Sequence, residues 1–185
     1  MTNGLATQRR DLIASLIRDV PDFPKPGVVF KDITPVLAHP EGFRAVISEL
    51  VSTAPTGVDV VIGMEARGFI LAAPVALALG AGFVPVRKPG KLPGTTYSES
   101  FSLEYGHETL TIQTDAVRAG SRVLVIDDIL ATGGTVGATA ALIRKLGAEL
   151  VHVSVLLELG FLNPRERLVE HGLGEGEVSS ILTVD

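Results

Sequence analysis

The chain has 185 residues, 46% of them hydrophobic, and a formal net charge of -5. That length supports one substantial core and leaves little for a second independent domain, and the acidic balance argues against general affinity for nucleic acid or an anionic membrane while leaving room for a local basic site. The absence of cysteine excludes disulfides and thiolate metal sites and permits a cytoplasmic address, which is the location expected here.

The first twenty residues, MTNGLATQRRDLIASLIRDV, place Arg9 and Arg10 ahead of Leu12, Ile13, Leu16, Ile17 and Val20. This could imitate an amphipathic transit peptide, but the acidic interruptions Asp11 and Asp19 favour a surface helix that buries one face. PDFPKPGVVFKDITPVL, residues 21–37, is too rich in proline for a core helix and is expected as a small hood over the sheet. Pro40 then opens a helix carrying Phe43, Val46, Ile47, Leu50 and Val51 on one face.

From about Val58 onward, short β-branched runs alternate with helical patterns. The runs are apolar throughout, as in strands buried on both faces of a parallel sheet. VDVVIG (58–63) predicts a strand, a helix follows over 66–79 with Gly80 as its cap, and FVPVRK (83–88) is the next strand. Residues 68–86 carry no charge and are nominally long enough to span a bilayer, but Pro74, Gly80, Gly82 and Pro85 divide them into a buried helix, a turn and a strand. No membrane segment is expected. RKPGKLPGTTYSESFSLEYG (87–106) is polar, and longer than the ~12 to 15 residues beyond which structureless connections are usually functional or disordered. RVLVID (122–127) predicts a further strand. The helix after it has apolar positions Val136, Ala140, Ile143 and Leu146, and ELVHVSVLLEL (149–159) is another strand. The last twenty or so residues carry nothing diagnostic.

The chemistry gathers where VLVIDDILATGGT (123–135) runs an aliphatic strand into two adjacent carboxylates, Asp127 and Asp128, and then into a glycine loop. Like charges side by side at the end of a buried segment are costly unless cations or hydroxyls meet them. In an open parallel sheet, ligands bind beyond the carboxyl ends of the strands, where both acids fall. ATGGT (Ala131, Thr132, Gly133, Gly134, Thr135) opens a helix whose exposed N–H groups can cradle a phosphate. The loop is neither a Walker A sequence, lacking its lysine, nor GxGxxG, and taken alone it could be a plain strand-to-helix turn. His39, His107, His152 and His171 are too scattered for a zinc site held by the protein.

The whole stretch resembles the phosphoribosyl pyrophosphate motif of type I phosphoribosyltransferases. DFPKPGVVFKDITPVL, EARGF (65–69), RKPGKLPG (87–94) and SLEYG (102–106) extend the resemblance, in order, to the adenine-using branch of that family. It implies an α/β fold, a central mainly parallel sheet flanked by helices, with a small N-terminal hood and a flexible catalytic loop, in a single domain over residues 1–185. It also implies transfer of a phosphoribosyl group to adenine, with release of pyrophosphate, formation of AMP and a requirement for Mg²⁺ held mainly by substrate and water. Protein side chains are not expected to ligate the metal directly. A homodimer is implied, with neither nucleic acid nor membrane as partner.

Residue by residue, the resemblance implies that Asp127 and Asp128 hold the ribose hydroxyls and stabilise an oxocarbenium-like transition state. Residues 131–135 would take the 5′-phosphate. Glu65, Ala66 and Arg67 would form the pyrophosphate turn beside Arg87, Lys88 and Lys91, with Arg67 close to the chemistry. Glu104 would handle the proton at purine N7, and Tyr105 would pack the closed lid. Val29 and Lys31 would read the adenine edge through alternate backbone groups, with Phe30 or Val29 and Ile129 against the two ring faces. The family commonly has arginine where this chain has Lys31. Two alternatives stay open at this point: another purine specificity, or a sensor of the sugar diphosphate without turnover. The second usually carries a DNA-binding module, for which this chain has neither the length nor a basic helix.

Overall fold

A computed structural model describes residues 2–103 and 106–185. The chain forms two compact units, residues 1–52 and 53–185.

In the first unit, helix α1 (Thr2–Leu16) leads to a two-stranded antiparallel ribbon of β1 (Arg18–Pro21) and β2 (Val29–Asp32), then α2 (Thr34–Ala38) and α3 (Pro40–Thr53). The arginines that resembled a transit signal have a structural use. Arg9 Nε lies 2.6 Å and Arg10 Nε 3.2 Å from the two carboxylate oxygens of Glu49, a buried acid on α3. Ile13 from α1 and Val46 and Leu50 from α3 are fully buried.

The second unit is built on five parallel strands in the order β4-β3-β7-β8-β9. These are β3 (Val60–Met64), β4 (Gly82–Val86), β7 (Arg122–Leu130), β8 (Glu149–Leu159) and β9 (Val178–Val184). Helix α4 (Arg67–Leu79) connects β3 to β4, α5 (Gly134–Lys145) connects β7 to β8, and α6 (Pro164–Glu170) lies between β8 and β9. Ile62, Val86, Val125, Leu142, Val155 and Leu168 belong to one continuous core, which accounts for the unbroken apolar runs in the strands. Pro74 sits inside α4 and does not break it, and the helix stops at Gly80 in the left-handed conformation, φ 67°. Among the described residues no helix is long and apolar enough to cross a membrane.

The segment expected as a structureless connection over 87–106 is in large part regular. Residues Thr96–Leu103 form β5, which pairs antiparallel with β6 (Gly106–Gln113), from Thr96 opposite Gln113 to Leu103 opposite Gly106. Alternate cross-strand pairs of this ribbon are polar, with Ser100 Oγ and Thr109 Oγ1 2.8 Å apart, which makes its sequence read as a polar loop. One aromatic, Phe101, packs against the core from β5.

Candidate active site

Strand order fixes where a ligand can enter. From β3 the chain winds outward to β4, and from β7 it winds the opposite way to β8 and β9, so the topology reverses between β3 and β7. Loops leaving the carboxyl ends of those neighbours diverge there and open a crevice. Residues Glu65–Arg67 follow β3, and Asp127 to Thr135 end β7 and lead into α5.

Asp128 is 5% exposed, and its Oδ2 lies 2.8 Å from Arg67 Nε. This is an ion pair by distance that does not line up as a directed hydrogen bond, so Oδ2 is a buried oxygen with acceptor capacity to spare. Burial, then the charge of the adjacent Asp128, push the Asp127 carboxyl well above the usual aspartate range. Burial raises Asp128 as well, against the pull of the Arg67 guanidinium. Gly68 makes the approach of α4 to β7 possible: a Cβ there would stand 2.8 Å from Asp127 Oδ1 and 3.1 Å from the Ile126 carbonyl oxygen.

The glycine loop enters α5 through Gly133, which is left-handed at φ 81° and gives the helix no side-chain cap. Its first-turn N–H groups therefore stay available to an anion. Gly134 lies under the ribbon, where a Cβ would meet Phe101 Cδ2 at 2.7 Å. Ala131, Thr132 and Thr135 are half-buried beside the two buried glycines, and Ile129, also half-buried, precedes them on β7.

The basic residues converge on one acid. Glu65 accepts from Lys91 Nζ at 2.6 Å, from the Lys88 backbone N–H at 3.1 Å and from Arg87 Nε at 3.2 Å. The Lys91 ammonium leads in holding the Glu65 carboxyl down at about 2. Lys88 Nζ pairs with Glu108 of β6, which raises the lysine above its ordinary value. The turn offers fewer backbone donors than its sequence implies, because Glu65 N–H already donates to the Val86 carbonyl at 3.0 Å. The Glu65–Ala66 peptide bond that follows is cis.

The first unit holds the remaining predicted contacts. On β2, Val29 is exposed, and Phe30 makes an edge-on contact with Phe23 at 5.1 Å between ring centroids. Lys31 Nζ is committed to both oxygens of Asp19, at 2.8 and 2.9 Å. Glu104 and Tyr105 lie outside the described residues. The sequence did not single out Glu108 or Phe101, whose relevance depends on the pairing of β5 with β6 and carries no local signal.

Three comparisons with known proteins place the chain in a family. The phosphoribosyl transferase domain matches residues 32–171. An adenine phosphoribosyltransferase of Cutibacterium acnes is 67% identical over 178 residues, covering 96% of this chain and 99% of its own length. Among solved structures, the adenine phosphoribosyltransferase of Rhodothermus marinus superposes with a TM-score of 0.88 at 45% identity, covering 96% of this chain and 99% of that one. The Saccharomyces cerevisiae enzyme, complexed with an imino-altritol bisphosphate and adenine, gives 0.87 at 36% identity, covering 95% and 99%. A parallel sheet with a carboxylate pair, a glycine loop and a basic turn at its switch point is the architecture of a phosphoribosyltransferase. The chain belongs to that family and, within it, to the adenine phosphoribosyltransferases.

Proposed function

We propose that this site transfers the 5-phosphoribosyl group of phosphoribosyl pyrophosphate to adenine, giving AMP and pyrophosphate. One observation carries the reading: a strand ending in Asp127 and Asp128, with Arg67 against the second, runs directly into an uncapped glycine turn beside a basic cluster. The sugar diphosphate has that sequence of charges: phosphate, hydroxyls, pyrophosphate.

In this reading the N–H groups of residues 131–135 hold the 5′-phosphate, and the carboxylates of Asp127 and Asp128 accept from the 2′ and 3′ hydroxyls. As the bond to pyrophosphate lengthens, positive charge grows on the ribose and the two carboxylates stabilise it. Arg67, the Ala66 and Arg67 backbone, and Arg87, Lys88 and Lys91 receive the departing pyrophosphate. Glu65 serves that cluster by organising it, since its carboxylate gathers the three basic residues. The family resemblance assigns Val29, Phe30, Lys31 and Ile129 to adenine, and gives Glu104 the N7 proton and Tyr105 a lid role.

Mg²⁺ fits the residues present. Asp128 Oδ2 is a buried oxygen with acceptor capacity that a water of a hard, phosphate-borne ion would meet. Bound with the sugar diphosphate, it neutralises charge on the leaving group. The same proposal includes a homodimer, for which exposed Ile70 and Leu77, one face of α4, supply apolar surface. It includes a cytoplasmic location too, because phosphorylated substrates do not cross membranes unaided.

The test is a product assay with phosphoribosyl pyrophosphate, Mg²⁺ and adenine, in which AMP and pyrophosphate should appear in equal amounts. A folded protein that forms no AMP overturns the proposal.

The raised carboxyl of Asp127 gives a second expectation. The active form is the carboxylate, so kcat/KM should rise with pH through an apparent pKa above the ordinary aspartate value of 3.8. Asp127→Asn should lower kcat by about 10² to 10³ and move that limb to lower pH, since Asp128 is left without the neighbouring charge. Stability should move the other way. Above 3.8 the unfolded chain gives up this proton before the folded one does, so the wild type loses stability as pH rises toward the folded pKa. Asn carries no such cost, and calorimetry at neutral pH should show a higher Tm for the variant.

A further inference from the structure

The glycine loop is braced from behind by a helix that the reading above does not use. α6 has seven residues, too few to hold a helix unaided, and its N-cap, Asn163, makes no side-chain cap bond. Arg165 anchors it. The guanidinium closes a two-pronged pair on Glu158 of β8, Nε to Oε1 at 2.8 Å and Nη2 to Oε2 at 2.8 Å, while Nη1 donates to the Val178 carbonyl at 3.2 Å. Glu158 is 4% exposed and takes a further bond at 2.9 Å from Ser180 Oγ on β9. The Arg165 hydrogen bonds hold the Glu158 carboxyl below its ordinary range, so the acid is charged and fully engaged.

Pro164 and Leu168, one turn apart on α6, meet the loop. A Cβ on Gly133 would lie 3.1 Å from the Pro164 carbonyl oxygen and 3.2 Å from Leu168 Cδ2. Gly133 is thus seated directly on α6, with its own carbonyl accepting from Gly137 N–H at 2.9 Å in the first turn of α5. A shift of α6 moves the residue that sets the direction of the loop's N–H groups.

We propose that Arg165 and Glu158 are positioning residues for the 5′-phosphate: their clamp fixes α6, and α6 fixes Gly133 and the donors around it. This rests on the assignment of residues 131–135 to that phosphate. Arg165 acts through Gly133 and touches no substrate in this account. Small displacements of binding groups are expensive, so the effect should fall on affinity for the phosphate-bearing substrate.

The experiment compares Arg165→Met with the double variant Glu158→Gln/Arg165→Met, which removes the unpaired buried charge that could unfold the single one. Thr135→Val, inside the loop, is the reference. Equilibrium binding of ribose 5-phosphate and of pyrophosphate is measured beside KM and kcat. In both clamp variants, ribose 5-phosphate binding and the KM for phosphoribosyl pyrophosphate should weaken about tenfold to 10²-fold. Pyrophosphate binding and the KM for adenine should stay within about twofold, as a misplaced phosphate loop leaves the other subsites alone. A lowered Tm with unchanged ribose 5-phosphate binding makes the clamp purely structural and overturns the proposal. If Thr135→Val weakens ribose 5-phosphate and the clamp variants do not, the clamp fails while the phosphate assignment stands. If none of the three variants weakens it, the phosphate assignment fails first and the clamp proposal with it.

Discussion

Hypoxanthine is expected to be a poorer substrate than adenine by about 10³- to 10⁴-fold in kcat/KM, because a site built to hydrogen-bond one polarity leaves groups unpaired with the other. Adenine offers an acceptor at N1 and a donor at its 6-amino group, and hypoxanthine reverses both. β2 pairs with β1, and among the described residues no other strand joins that two-stranded sheet, so alternate backbone groups along its outer edge point away from the ladder. The Lys31 side chain is held by Asp19, so in the proposed account any contact of this residue with the base would run through its main chain. At ~1 to 3 kcal/mol for each of two reversed positions, the penalty reaches the stated range at its upper end. Steady-state kinetics with adenine, hypoxanthine, guanine, xanthine and uracil measure it. Comparable efficiency for adenine and hypoxanthine would sink the backbone account while leaving the phosphoribosyl chemistry untouched.

Glu104→Gln is expected to lower kcat by about 10² to 10⁴, the usual contribution of general acid–base catalysis, with little change in binding of phosphoribosyl pyrophosphate. Glutamine keeps size and hydrogen-bonding shape and removes only the ability to take or share the N7 proton. Glu104→Ala shortens the side chain as well, so a glutamine defect nearly as large as the alanine one points to proton handling. Single-turnover AMP formation across pH, beside equilibrium binding of the sugar diphosphate, separates the two. Wild-type single-turnover rates in the glutamine variant would take Glu104 out of the chemistry.

What the sequence revealed follows from how local each signal is. ELVHVSVLLEL is a mostly aliphatic run of eleven residues that reads as a strand by itself, and β8 spans Glu149–Leu159 accordingly. Asp127, Asp128 and the glycine turn sit within nine consecutive residues, so their proximity needs no tertiary knowledge. β9 is different. VSSILTV is polar at Ser179, Ser180 and Thr183 and becomes a strand through its register with β8, from Val153 opposite Val178 to Leu159 opposite Val184. TYSESFSL becomes a strand only against its partner GHETLTIQ, and RDVP only against VFKD. The pairing of Arg165 with Glu158 joins a helix to a strand across a turn, and no periodicity announces it.

The ion pairs that crowd the basic turn also bear on how product leaves. Lys91 and Arg87 already face Glu65, and Lys88 faces Glu108. In the proposed reaction pyrophosphate would meet cations already paired with carboxylates and would have to exchange with them, as an ion does on an exchange resin. Each exchange would return on departure part of what it gained on arrival, which would shorten the residence of this polyanion.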